Sequence, residues 1–307
     1  MLTGTEFMSA CTAPNLAEPA ALSQEKASAA LAEIVVFIDG QTKAGGILEF
    51  AGALAGEHGA RLIGVFVQPE PTITPAEAFA RGMGILRVSE SHRAQLERID
   101  ADYRALFEDI VRRHGIPRPE WRSLSHWSTE VAVQAYYADL VVIARPKPAG
   151  QEPAPSGLTE SLVLSSGRPI IIFPPTHRAS RVRRILVAWS ATREAIRAIA
   201  DALPLLARAE AIQVLIVDYE RQRERHGQKP GAEVARRLSA LGPQVEVQHL
   251  KSAGQEVGHL LLAQAASFRA DLLVMGAYGH STLHEWLFGG VTRTVLYETG
   301  LPVLMSR

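Results

Sequence analysis

The chain repeats itself, and this constrains its fold more than any other feature. IVVFID at residues 34–39 returns as ILVAWS at 185–190, and DLVVIAR at 139–145 returns as DLLVMGA at 271–277. GRPIIIF at 167–173 returns as GLPVLMS at 300–306. The landmarks keep their order, and the spacing between the last two differs by one residue between copies. Extra residues near 69–88 lengthen the middle of the first copy. Self-similarity over most of a chain means that one structural unit occurs twice, and 307 residues suit two ordinary domains. The expected bounds are 31–175 for the first unit, 176–184 for a linker and 185–307 for the second. Residues 1–30, rich in Ala, Ser, Pro and Glu, are expected to be a poorly ordered extension.

Each copy alternates apolar runs with helical spacing. In the second, residues 185–188 form a continuous apolar run, as in a strand buried on both faces. Ile196, Ile199, Ala200, Leu203 and Ala207 then recur at helical intervals. Pro204 should break that helix or start a new turn. Strands follow at 214–217, 245–250, 272–275 and 302–305. Helices are marked by Val234, Leu238 and Leu241, by Val257, Leu260, Leu261 and Ala265, and over 292–298. The first copy has the same order, with Ile47, Phe50, Ala51 and Leu54 on its first helix, a strand at 62–67 and a long charged helix ending near His114. Strands alternating with helices predict an α/β fold, a parallel sheet covered by helices on both faces.

Composition narrows the partners. Basic and acidic side chains number 32 each, so the body carries no net charge to hold DNA or an anionic membrane. The one cysteine, Cys11, excludes an intramolecular disulfide and a cysteine-rich zinc site, and fits a cytoplasmic location. The apolar runs are far shorter than the ~20 residues of a membrane span, and the start of the chain lacks a signal-peptide pattern. Arg178, Arg181, Arg183 and Arg184 read as a solvated linker.

The segment richest in chemistry is Gly276-Ala277-Tyr278-Gly279, followed after nine residues by Gly289-Gly290-Val291-Thr292. It follows a buried strand and leads into a helix. Ligands of open parallel sheets bind beyond the carboxyl ends of the strands. Glycines let the backbone come close to a ligand, and the first N–H groups of a helix face anions. A hydroxyl such as that of Thr292 can cap the helix or contact a phosphate.

With Gly276, Gly279 and Gly289 at this spacing, and with the ending LPVLMS, the chain resembles the universal stress protein family in two tandem copies. The resemblance implies, in each half, a doubly wound five-stranded parallel sheet of order 3-2-1-4-5, the halves related by a pseudo-twofold axis with edge strands buried against each other. It implies a stress-response protein that binds an adenine nucleotide, ATP or AMP, with or without Mg, in the second half. On this resemblance Met275 and Gly276 would meet the ribose, and Gly279, Gly289, Gly290, Val291 and Thr292 would surround the phosphates. Ser190 and Val217 would border the base. It also implies that a tandem chain stands for a covalent dimer, and further homodimerisation is expected.

Two positions depart from the family pattern. Ser190 stands where nucleotide-binding members have an aspartate, and Gly290 where they have a hydroxyl residue; each loss costs about 1 kcal/mol of hydrogen bonding. The first half keeps Asp39 after its first strand but reads ARPKPAGQEPAPS at 144–156, with no matching glycines, and is expected to be a structural partner. His280 and His284 lack a third ligand, so no metal is expected. Trp286, Phe288, His126 and Trp127 read as packing residues. No nucleophile elbow or phosphate-binding lysine loop occurs, so no catalytic residue is assigned. An interaction scaffold that has lost the nucleotide, and less so a slow ATP hydrolase, are the alternative functions.

Overall fold

The computed structural model describes residues 30–40, 44–69, 83–124, 129–146, 158–178, 181–222, 229–277 and 290–307. Cys11, His126, Trp127, Gly279, His280, His284, Trp286, Phe288 and Gly289 lie outside these residues.

The first half contributes β1 (Glu33–Ile38), α1 (Ala44–His58), β2 (Arg61–Val67), α2 (Met83–His114), β3 (Glu120–Leu124), α3 (Thr129–Tyr136), β4 (Leu140–Ala144), α4 (Leu158–Ser165) and β5 (Ile170–Phe173). The second contributes β6 (Arg184–Ala188), α5 (Arg193–Asp201), α6 (Leu203–Leu206), β7 (Ala211–Val217), α7 (Ala232–Ser239), β8 (Gln244–Leu250), α8 (Val257–Phe268), β9 (Leu272–Gly276), α9 (Gly290–Glu298) and β10 (Val303–Ser306). The helix interrupted by Pro204 does break, with α5 ending at Asp201 and α6 carrying the proline in its first turn.

The strands form one ten-stranded sheet of order β3-β2-β1-β4-β5-β10-β9-β6-β7-β8. All neighbours run parallel except β5 and β10, which pair antiparallel with Val303 opposite Ile172 and Met305 opposite Ile170. The expected two sheets are thus one. Each half's last strand finds its hydrogen-bond partner in the other half, which removes two open edges. Antiparallel pairing of equivalent strands relates the halves by a local twofold axis.

Strand alternation sorts the core into two layers. Ile34, Val36 and Ile38 join Phe50, Leu54, Ala198, Ile199 and Leu206 on one face. Val35 and Phe37 join Val131, Leu162, Leu261 and Val295 on the other. The first copy puts much of its extra length into a helix. α2 has 32 residues where α7 has eight. It is pinned to β3 through Asp100, which accepts hydrogen bonds from Trp121 Nε1 (2.8 Å) and Ser123 Oγ (2.6 Å).

The repeated aspartates have a repeated task. Asp139 Oδ2 accepts hydrogen bonds from the backbone N–H groups of Ala32 (2.7 Å) and Glu33 (3.0 Å), where β1 begins. Asp271 Oδ2 accepts from Arg183 and Arg184, both at 2.9 Å, where β6 begins. One carboxylate before the fourth strand of each half thus fixes the start of its first strand.

Only part of the arginine-rich stretch is solvated. Arg178 and Arg181 are exposed, but β6 already begins at Arg184, the last residue of the expected linker. The Arg184 guanidinium lies 4.3 Å from the centroid of the Phe268 ring and donates to the Phe268 carbonyl. Arg183 reaches the first half, 2.9 Å from Glu57.

Beside that contact, burial and the Arg208 guanidinium of the second half hold the His58 imidazole down at about 4, with Glu57 opposing. Above pH 6.5 the histidine is neutral in both folded and unfolded chains. As pH falls from 6.5 towards 4, the unfolded chain takes up a proton that the folded chain refuses, so stability is lost across that window. His58→Gln is expected to flatten the pH dependence of the urea midpoint there by about 1 kcal/mol, a figure reduced for the partial exposure of the ring.

Candidate functional site

The second half's crevice lies beyond the carboxyl ends of β6, β7 and β9. After β6, Ser190 is exposed and its Oγ lies 3.2 Å from Thr192 Oγ1. Thr192 caps α5 by accepting from the Ala195 N–H at 3.3 Å, and Ala191 between them takes a left-handed φ of 53°. Ser190 is therefore at the rim, with its hydroxyl engaged by a neighbour.

After β7, Val217 is half-buried, and the residue that follows carries more of the geometry. Asp218, at φ 52°, accepts hydrogen bonds from Ser252 N (2.8 Å) and Ser252 Oγ (2.6 Å). This ties the loop after β7 to the loop after β8. Beside it, the Tyr219 and His249 rings lie 4.9 Å apart, centroid to centroid. Reading the residues alone missed Asp218 and Ser252; the available signal was an aspartate directly after the apolar run 214–217.

Met275 and Gly276 end β9. The Met275 side chain is buried in the core, leaving its backbone for the crevice. At Gly276 the strand end comes close to a helix. A Cβ there would lie 2.6 Å from Glu194 C and 2.7 Å from Ala195 N. The first turn of α5, not a ligand, fills the space that this glycine leaves open.

α9 starts at Gly290, two residues before the expected helix. Thr292 is therefore inside the first turn and buried, at 5% exposure, so it neither caps the helix nor presents its hydroxyl at the surface. Gly290 is exposed and Val291 half-buried. Their N–H groups, with that of Thr292, stand in the first turn, where a helix lacks internal acceptors. Beside them is a carboxylate that the sequence reading also missed. Glu256, the residue before α8, accepts a hydrogen bond from Thr294 Oγ1 on α9, and its Oε1 would be 3.5 Å from a Cβ on Gly290. Gly258 permits this helix contact, since a Cβ there would lie 2.7 Å from Thr294 Cβ. His259 bridges Glu256 (3.5 Å) and Glu298 (3.0 Å).

The structure thus brings Ser190, Val217, Met275, Gly276, Gly290, Val291 and Thr292 to one end of the second half's sheet, while Gly279 and Gly289 are outside the described residues. Among the described residues, no group of three or more His, Cys, Asp and Glu side chains could hold a metal ion. No helix among them is long and apolar enough to cross a membrane.

A doubly wound α/β unit, repeated and joined through its last strand, is the class this architecture defines. Residues 181–307 match the model of the Universal stress protein family. No curated protein matches the chain. Among solved structures, a universal stress protein from Archaeoglobus fulgidus DSM 4304 is similar over 90% of this chain and 98% of its own, with a TM-score of 0.62 at 17% identity. A functionally unknown protein from Pseudomonas aeruginosa PAO1 is similar over 92% of this chain and 94% of its own, with a TM-score of 0.57 at 16% identity. Both likenesses span the two halves, so the first half shares the fold as well.

Proposed function

We propose that the chain is a stress-response protein of regulatory rather than catalytic type, with one adenine-nucleotide site in its second half. The observation that carries this is the start of α9 at Gly290, directly after the glycine motif and beyond the carboxyl ends of the parallel strands. Backbone N–H groups of Gly290 and Val291 would take the phosphates, with Gly279 and Gly289 allowing the loop to approach. Ser190 and Val217 would border the base and the backbone of Met275 and Gly276 the ribose. Isothermal titration with ATP and AMP, with and without Mg, tests this. Heat of binding from ATP is expected, and Gly279→Val should weaken it by about tenfold or more. No heat at millimolar ATP from folded protein overturns the reading, and an unchanged affinity in Gly279→Val overturns the loop assignment.

One observation favours the second reading, a scaffold without nucleotide. The Glu256 carboxylate already stands at the start of α9, where it complements the positive helix end and would repel a phosphate. A scaffold gives no heat with either nucleotide.

A further inference from the structure

The two halves are not equivalent at the end of their fourth strands. Arg145 and Ala277 occupy the same place in the repeat, and the backbone shows it. Arg145 N donates to Phe173 O, and Ala277 N to Ser306 O, each at 2.8 Å across to the half's own fifth strand. Ala277 is fully buried. The Arg145 side chain instead leaves its own half, and its Nη1 donates to the Thr299 carbonyl at 3.0 Å.

Thr299 directly follows α9. It is fully buried, its N–H continues the helix by bonding Val295 O at 3.1 Å, and its Oγ1 donates to Leu301 O at 2.6 Å. Its carbonyl is thus a buried acceptor at the negative end of the helix, where a cation is favoured. The guanidinium is half-buried, and burial pulls it below its ordinary value, with Glu298 opposing. No carboxylate forms a salt bridge with Arg145 among the described residues. A desolvated cation needs a defined acceptor. Here that acceptor is the end of the other half's helix.

α9 has nine residues, and one helix links the Thr299 end to the Gly290 end. Gly258 and Glu256 hold it laterally at Thr294, and Arg145 holds its far end. We infer that Arg145 of the first half is a positioning residue for the glycine-motif helix of the second, so that the half without the motif acts as a clamp on the crevice of the half that keeps it. The effect on ligand rests on the nucleotide reading above; the clamp itself does not.

The test compares wild type, Arg145→Met and Arg145→Lys by amide hydrogen exchange and by ATP titration. In Arg145→Met, amides of residues 290–299 should exchange about tenfold faster, while those of β6 and β7 keep their protection. ATP affinity should fall by about fivefold. Arg145→Lys, which keeps the cation but loses the fork, should fall between. Unchanged exchange in α9 overturns the clamp. Faster exchange with wild-type ATP affinity overturns its service to the site. Should Arg145→Met fail to fold, Arg145→Lys decides by the same two readouts. Should wild type bind no ATP, the nucleotide reading fails, and exchange in α9 alone sustains or overturns the clamp.

Discussion

Gly276→Ala is expected to lower the thermal midpoint by about 5 °C, close to 3 kcal/mol of lost stability. The added methyl would meet backbone atoms, Glu194 C at 2.6 Å and Ala195 N at 2.7 Å, rather than the end of a flexible side chain. That backbone is itself held. Thr192 caps the turn through the Ala195 N–H, and Ala195 and Ala198 are buried against the sheet. Relief therefore requires α5 to lift from β9, exposing apolar surface at about 25 cal/mol per Å². Gly300→Ala is the control, because nothing lies within 4 Å of a Cβ there, and its midpoint should stay within about 1 °C of wild type. Differential scanning calorimetry of the two variants decides the matter. Equal midpoints would show that Gly276 is not packed against α5. The first half tolerates Ala144 at the matching place, so the close approach of helix to strand end belongs to the second half.

Asp271→Ala should cost about 3 kcal/mol in urea unfolding, and Asp139→Ala a similar amount. In each case one carboxylate oxygen serves two consecutive backbone N–H groups, and its removal leaves both without an acceptor at the start of a central strand. Charge-assisted bonds of this kind are stronger than neutral ones. Asn, which keeps a carbonyl oxygen but not the charge, should retain about half of the stability. At Asp271 there is a further consequence. The N–H groups it holds belong to Arg183 and Arg184, whose side chains reach Glu57 of the first half and Phe268. Asp271→Ala should therefore also accelerate exchange at β6 amides. A loss below about 0.5 kcal/mol would show that water replaces the carboxylate at no cost.

Much of the architecture was legible in the residues because the signals are local. Continuous apolar runs marked the central strands, and three- and four-residue spacing marked α1, α5, α7 and α8. Pro204 marked the break between α5 and α6. The repeat of DLVVIAR and DLLVMGA even located the two aspartates, although not their task. The site was legible only in outline. The position of the crevice follows from strand order, but Asp218 meets Ser252, and Glu256 meets Thr294, across separate elements, and no periodicity connects either pair. Thr292 was read as the first residue of its helix, but α9 starts at Gly290, which puts Thr292 inside the first turn.

The sequence by itself determined that one strand–helix unit occurs twice, that its strands lie parallel between helices, and which half keeps the glycine motif. These follow from local periodicity and from a repeat long enough to align with itself. Only the tertiary structure decided that the halves share one sheet through β5 and β10, that α5 fills the space beside Gly276, and that Arg145 crosses to Thr299. Each is a contact between residues far apart in the chain. Its strength depends on distance and desolvation in three dimensions, which neither residue carries in its own neighbourhood.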